Sequence, residues 1–435
     1  MSATRARAVP LLIITCLALI GACSGSGSPT ATSPQQVSSS GPTASGSAAG
    51  ATSSADSTQS ASTDPAQAAA ILDLVEQEMQ TGHLRAVLVR VTRDGQDIVT
   101  AARGESMTGV PASTDMHFRN GAVAISFVAT LLLQLVDSGT VSLDDKVSEY
   151  LPDAPHADEV TLGQLAQMTS GIPDYVPQPQ FVTDLVSDPF AAWTPEQLLA
   201  EIADLPLHYP PGTNWNYSHS NYVILGLVLE KVTGKPVDEL MTQKVLGPLG
   251  LDNTVDNATA VIPEPALHSF SSERRELFGV PADQPFYEES TFWNPSWTIT
   301  RGAVQTTNIH DMAASMAAIG EGTLLSPASH AAQVSTGLRG FGTAQEGCSC
   351  FPQQEGYAYG IGVVTTGNWL LQNPLFSGEA GASAYLASQK IAIGVAVTYQ
   401  PEAFDAQGNY VNQADILFRK IGALVAPDDA PPVKK

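Results

Sequence analysis

The stretch of sequence that decides the fold reads Phe118-Arg-Asn-Gly-Ala-Val-Ala-Ile-Ser-Phe-Val-Ala-Thr-Leu-Leu-Leu-Gln-Leu-Val-Asp-Ser-Gly-Thr-Val-Ser-Leu-Asp-Asp-Lys-Val-Ser-Glu-Tyr-Leu-Pro152. Within it, residues 122–136 are apolar apart from Ser126, Thr130 and Gln134. A membrane-spanning helix needs about 20 apolar residues, and this run is shorter. A helix that is apolar on every face is typical of the interior of a large domain. The sequence therefore predicts a central helix that is buried on all sides.

Strand signals occur at both ends of the folded part of the chain. Residues 86–92 and 98–102 flank a tight turn at 93–96, which is typical of a β-hairpin. Near the other end, residues 390–399 predict a buried strand and residues 414–425 a closing helix. Asp64 and Pro65 are a helix cap and a first-turn proline, so a first helix is expected over 66–81. Together these signals predict a sheet assembled from both chain ends, with a long, mostly helical middle between them.

Three further segments follow the apolar run in order. Residues 161–174 read Thr-Leu-Gly-Gln-Leu-Ala-Gln-Met-Thr-Ser-Gly-Ile-Pro-Asp, and residues 211–226 read Pro-Gly-Thr-Asn-Trp-Asn-Tyr-Ser-His-Ser-Asn-Tyr-Val-Ile-Leu-Gly. With residues 118–152 and the stretch 302–311, they resemble the ordered landmarks of the class C β-lactamase and D,D-peptidase family, which includes penicillin-binding proteins. The resemblance covers roughly residues 65–425. It implies a β-lactamase/transpeptidase-like α/β fold, with an antiparallel sheet flanked by helices and a helical middle subdomain.

The catalytic chemistry of that family depends on a Ser-x-x-Lys motif at the start of the central helix. A lysine one helical turn after the serine faces it and can take its proton. In this chain the serine position falls on Ala122 and the lysine position on Ile125. No lysine in the sequence has a serine three residues before it, so a shifted alignment does not restore the motif. Neither side chain can act as nucleophile or base.

The second and third motifs of the family are also altered. Tyr217 keeps the tyrosine of the second motif, but His219 stands where the family has asparagine. We interpret Tyr217 and His219 either as a proton-transfer pair or as a satisfied packing pair. In the third motif Phe376 replaces the cationic lysine or histidine, while Gly378 is kept. The consistent loss of all three reactive groups predicts an apolar floor of Ala122, Ile125 and Phe376 in place of a catalytic centre.

One part of the family site needs no side chain. Backbone N–H groups hold the developing oxyanion in such hydrolases. The resemblance assigns this role to the N–H groups of Ala122 and Glu379. They are therefore predicted to form a cradle for a carbonyl or carboxylate group.

The first 64 residues carry export signals. Arg5 and Arg7, followed by an apolar run that ends at Gly21-Ala22-Cys23, are typical of a secretory signal peptide over 1–22. The sequence 20–23 resembles a lipobox, which implies diacylation of Cys23 and anchoring on the extracytoplasmic face of the cell membrane; a plain signal peptide is the alternative. Residues 23–64 have the composition of a disordered tether. The folded domain is predicted over 65–427, with an α/β part at about 65–136 and 300–427 and a helical part at about 137–299.

The remaining cysteines, charge and histidines bear on cofactors and partners. Cys348 and Cys350 form a Cys-Ser-Cys pair without zinc-like spacing, and the sequence leaves open a local disulfide or two reduced thiols. The formal net charge of −23 argues against nucleic acid as a partner. None of the eight histidines lies in a metal-binding motif, and there is no phosphate-binding glycine loop. We therefore predict no metal and no cofactor.

Three hypotheses follow from these patterns. The leading one is a pseudoenzyme that binds cell-wall peptide or another envelope protein through a remodelled cleft. The second is a serine hydrolase, of β-lactamase, D,D-peptidase or esterase type, that uses Ser218 or Ser220 with His219 and Tyr217. The third is a structural envelope protein whose cleft has collapsed. The sequence does not indicate an oligomeric state.

Overall fold

The computed structural model describes residues 63–255, 259–299 and 304–432. The predicted signal peptide, Cys23 and nearly all of the predicted tether lie outside these ranges, as does Gly302. Within the described part of the chain, no helix has both the length and the apolar character needed to cross a membrane.

The strands are short at the centre of the chain and long at its two ends. They are β1 Leu84–Arg93, β2 Gln96–Met107, β3 Val110–Pro111, β4 Phe118–Arg119, β5 Phe270–Ser271, β6 Glu288–Glu289, β7 Thr306–Thr307, β8 Ala358–Tyr359, β9 Val364–Thr366, β10 Trp369–Gln372, β11 Leu375–Phe376, β12 Glu379–Leu386 and β13 Ile391–Tyr399. Nine of them form one antiparallel sheet in the order β3-β2-β1-β13-β12-β10-β9-β8, with β11 paired to β12. Because β1 pairs with β13, the two chain ends meet at the middle of the sheet, as the sequence predicts.

The described residues contain eleven α-helices. They are α1 Pro65–Thr81, α2 Val123–Asp137, α3 Leu162–Ala166, α4 Pro179–Ser187, α5 Pro195–Ala200, α6 His219–Thr233, α7 Val237–Met241, α8 Gly247–Leu249, α9 Ile309–Glu321, α10 Pro327–Gln333 and α11 Gln413–Val425, with one π-helical turn at Thr242–Leu246. The first helix begins at Pro65, where the Asp64 side chain accepts a hydrogen bond from the Gln67 backbone at 3.0 Å. This start is one residue before the predicted one.

The central helix α2 is buried as predicted. Every residue from Val123 to Leu133 is buried, and the helix packs against α6, α9 and α10. Its interior hydroxyls are satisfied within the fold, since Thr130 Oγ1 donates to the Ser126 carbonyl at 2.9 Å. The N-terminus of α2 lies close to the β4–β7 pair, because the Asn120 N–H donates to the Gln305 carbonyl just before β7. This arrangement fixes Ala122 at the start of the helix.

Candidate functional site

The start of α2 carries the positions of the first motif. Ala122 is the half-buried N-cap residue of the helix, and Ile125 is 1% exposed. Ser126, the nearest serine in this helix, is fully buried, and its Oγ donates to the Gly362 carbonyl at 2.6 Å. The Gln372 side chain donates to the same two oxygens, at 3.3 Å and 2.8 Å. Ser126 therefore ties α2 to the neighbouring loop and strand β10.

The second motif leads into α6, whose first residue is His219. Burial, followed by the charges of Tyr357, Asp174 and Tyr222, raises the pKa of Tyr217 well above its usual value. The phenol therefore stays protonated. The two serines beside His219 are fully buried. Both donate to the carbonyl of Pro173, from Ser218 at 3.2 Å and from Ser220 at 2.8 Å, so the serines of the second hypothesis act as structural ties between two segments.

His219 is paired with a carboxylate that the sequence analysis did not single out. Asp174 Oδ2 lies 2.9 Å from His219 Nδ1, and Asp174 Oδ1 accepts the backbone N–H of His219 at 3.2 Å. The side chain of Asp174 is only 13% exposed and that of His219 only 15%. Asp174 ends the quoted segment 161–174, and the fold brings it to the start of α6. The sequence signal that could have predicted this pair is a carboxylate and a histidine in two consecutive segments of the family resemblance, 161–174 and 211–226.

Phe376 of the third motif is held by a tryptophan from the middle of the chain. Its ring stacks on Trp297 with centroids 5.7 Å apart and planes 16° apart. The backbone of Trp297 accepts a hydrogen bond from the Tyr175 hydroxyl at 2.6 Å. The Phe376 ring is thus packed against the helical part. Ring contacts run from Phe376 to Trp297, from Trp297 to His219 and from His219 to Tyr217.

Glu379, at the start of β12, pairs along its backbone with Phe376 on one side and with Thr398 on the other. The N–H cradle of Ala122 and Glu379 stays a prediction. The side chain of Glu379 is buried, and burial raises its pKa to about 8, an effect that the Arg119 charge and a hydrogen bond from the Arg119 backbone reduce.

Arg119 is the buried counterpart of Glu379. Burial lowers its pKa to about 10, and the charge of Glu379 opposes that change. Its guanidinium donates to the Ala260 carbonyl at 2.7 Å. Sequence reasoning did not predict the interaction between these two residues.

Cys348 and Cys350 are joined in a disulfide with their Cα atoms 5.2 Å apart. Phe351, which follows it, packs edge-on against Trp215 at 4.9 Å, so this loop covers the segment that leads to Tyr217. Across the described ranges, no group of three or more His, Cys, Asp or Glu residues is placed to hold a metal ion.

The fold and the arrangement of the three motif positions define a β-lactamase/transpeptidase-like α/β protein. The family described as Beta-lactamase matches residues 71–418. The chain therefore belongs to the β-lactamase family, as the sequence analysis predicts.

Relatives of known name agree with this assignment. Penicillin-binding protein 4 of Amycolatopsis lactamdurans is 34% identical over 166 residues, covering 37% of this chain and 40% of the relative. A putative D-alanyl-D-alanine carboxypeptidase of Escherichia coli is 29% identical over 177 residues, covering 37% and 38%. The matched region thus spans less than half the length of these relatives. A D-stereospecific amidohydrolase from Streptomyces sp. has the same fold, with a TM-score of 0.62, 23% identity, and coverage of 76% of this chain and 94% of that one.

Proposed function

We propose that this chain is a non-catalytic member of the β-lactamase family that binds a ligand or protein partner through its remodelled cleft. One observation carries the proposal: the positions of the family serine and lysine hold Ala122 and Ile125. Loss of the nucleophile in a comparable serine hydrolase lowers turnover about a millionfold. The fully buried state of Ser126, Ser218 and Ser220, whose hydroxyls donate to backbone carbonyls, supports the proposal further.

The test is covalent labelling. We expect the purified protein to form no adduct with a fluorescent penicillin or a serine-reactive phosphonate, while an active penicillin-binding protein labels in the same gel. The Ala122→Ser variant serves as a matched control, because it restores a hydroxyl without its base. An adduct on the native protein, mapped by mass spectrometry to any serine, would show that the chain is a hydrolase with a different constellation.

We also propose that the protein is a lipoprotein on the extracytoplasmic face of the cell membrane. The basic start, the apolar run and the residues 20–23 support a diacylated Cys23. Cells fed an alkyne-tagged fatty acid should therefore incorporate the tag into the native chain and not into a Cys23→Ala variant. Equal tagging of the two proteins, or tagging of neither, would contradict this anchor.

In this location the proposed partners are cell-wall peptide or another envelope protein. The net charge of −23 disfavours nucleic acid. A purely structural role with a collapsed cleft predicts no saturable binding to isolated cell wall, which separates it from the ligand-binding proposal.

A further inference from the structure

The Asp174 carboxylate orients the His219 ring. Its oxygens accept from three donors: the Nδ1 of His219 at 2.9 Å, and the backbone N–H groups of His219 and Val176, each at 3.2 Å. A histidine nitrogen that faces a carboxylate carries the proton, so the other nitrogen of the neutral ring is a hydrogen-bond acceptor. When the ring is neutral, the dyad therefore presents the Nε2 lone pair of His219.

Two polar atoms at this point make no hydrogen bond to the described part of the chain. Neither His219 Nε2 nor the Tyr217 hydroxyl makes a hydrogen bond within residues 63–255, 259–299 and 304–432. Both residues are half-buried. The Tyr217 oxygen can donate or accept. Each of the two atoms can thus accept a hydrogen bond from a bound group.

Aromatic rings surround the dyad. The rings of Tyr217, Tyr175 and Trp297 lie 5.1, 6.0 and 6.2 Å from that of His219, between centroids. Aromatic faces attract cations through the negative charge of their π-systems. Phe376 extends this wall by stacking on Trp297, at the position where the family resemblance implies a cationic side chain.

We propose that Asp174, His219 and Tyr217, with the wall of Trp297 and Phe376, form a binding site for an organic ammonium group attached to a flat apolar body. This inference rests on the proposed ligand-binding function and names its ligand class. An ammonium group donates to Nε2 and to the Tyr217 oxygen, while the Asp174 charge and the ring faces stabilise its positive charge. A carboxylate ligand would instead face the Nε2 lone pair and the negative charge of Asp174.

Three probes of one shape separate these chemistries: benzylamine, benzyl alcohol and benzoate. Binding to the purified full-length chain in detergent is measured by calorimetry at pH 7.5, where benzylamine is protonated. We expect benzylammonium to bind at least tenfold more tightly than the other two. Asp174→Asn should weaken that binding at least tenfold, and so should His219→Asn, which tests the same site if the first variant does not fold.

The chain offers a matched control in a second histidine–carboxylate pair, His156 Nδ1 and Glu159 Oε1, which are 2.9 Å apart. Glu159→Gln should leave the affinity for benzylammonium unchanged. Benzoate or benzyl alcohol binding as tightly as benzylammonium, or equal affinities in the native protein and the two site variants, would overturn the ammonium site. Penicillin labelling is measured separately. A protein that forms no penicillin adduct and does not bind benzylammonium would contradict only the ammonium site, and the proposed non-catalytic function would stand.

Discussion

Gly378→Ala is expected to destabilise the protein by about 2–5 kcal/mol, because the glycine is constrained twice. Its φ of +83° lies in the left-handed region, where a side chain costs roughly 1–2 kcal/mol. In addition, a Cβ at this position would lie 2.0 Å from the backbone oxygen of Phe270, and overpacking of this kind adds about 1–3 kcal/mol. Backbone atoms of β5 cannot rotate away as a flexible side chain would.

Gly234→Ala is the matched control. Gly234 has a φ of +69° at the end of α6, and a Cβ there would meet nothing within 4 Å. It should therefore cost only about 1–2 kcal/mol, the conformational part of the effect. Thermal and urea unfolding of the two variants and the native protein measure the difference. Equal losses of stability in the two variants would mean that the Phe270 backbone does not restrict the side chain at position 378.

The close approach of Phe270 to Gly378 explains why this glycine is kept although the neighbouring cation is lost. The Gly378 N–H also donates to the Tyr410 hydroxyl at 2.7 Å, and the Ser377 carbonyl accepts from the Ser290 hydroxyl. The third motif thus contacts both the middle of the chain, through Phe270 and Ser290, and its C-terminal part, through Tyr410. In this protein the retained glycine stabilises the fold, whatever role the same position plays in catalytic relatives.

The main elements of the fold could be predicted from the sequence because their signals are local. The run 122–136 predicts a buried helix by composition alone, and the hairpin signal around residues 93–96 predicts β1 and β2. The family resemblance then implies that Ala122, Tyr217 and Phe376 lie around one cleft. The elements are predicted from periodicity and composition, which a single sequence displays, whereas the grouping of the motif positions depends on the resemblance.

The contacts that give the site its chemistry could not be predicted in this way. Asp174 and His219 are separated by 45 residues, and Phe376 and Trp297 come from different parts of the chain. The first pairing depends on packing within the helical middle, and the second depends on how that middle packs on the sheet. No local pattern encodes either kind of packing. The interaction between Arg119 and Glu379 was missed because each residue taken alone resembles an ordinary charged residue at the end of an apolar segment.

Ile125→Lys, which restores the family lysine, is expected to destabilise the protein by about 3–5 kcal/mol. Ile125 is 1% exposed on a helix whose surroundings are apolar, and an uncompensated buried charge costs about this much. Tyr217 gives no countercharge, since its raised pKa keeps the phenol neutral. Ile125→Met, which roughly conserves volume and adds no charge, should cost less than about 1.5 kcal/mol.

The pH dependence of the lysine variant distinguishes a buried charge from poor packing. Desolvation lowers the pKa of a buried lysine below the about 10.4 of the unfolded chain. Between these two values the unfolded state binds more protons, so the stability of the folded state rises with pH. The deficit of Ile125→Lys relative to Ile125→Met should therefore shrink between pH 7 and pH 9.5 in unfolding experiments. A large deficit that is the same at both pH values would mean poor packing and not a buried charge. A deficit that is small at pH 7 would mean that position 125 accepts an ammonium group. The double variant Ala122→Ser with Ile125→Lys would then be the one to test for penicillin labelling, because only a tolerated lysine can activate the restored serine.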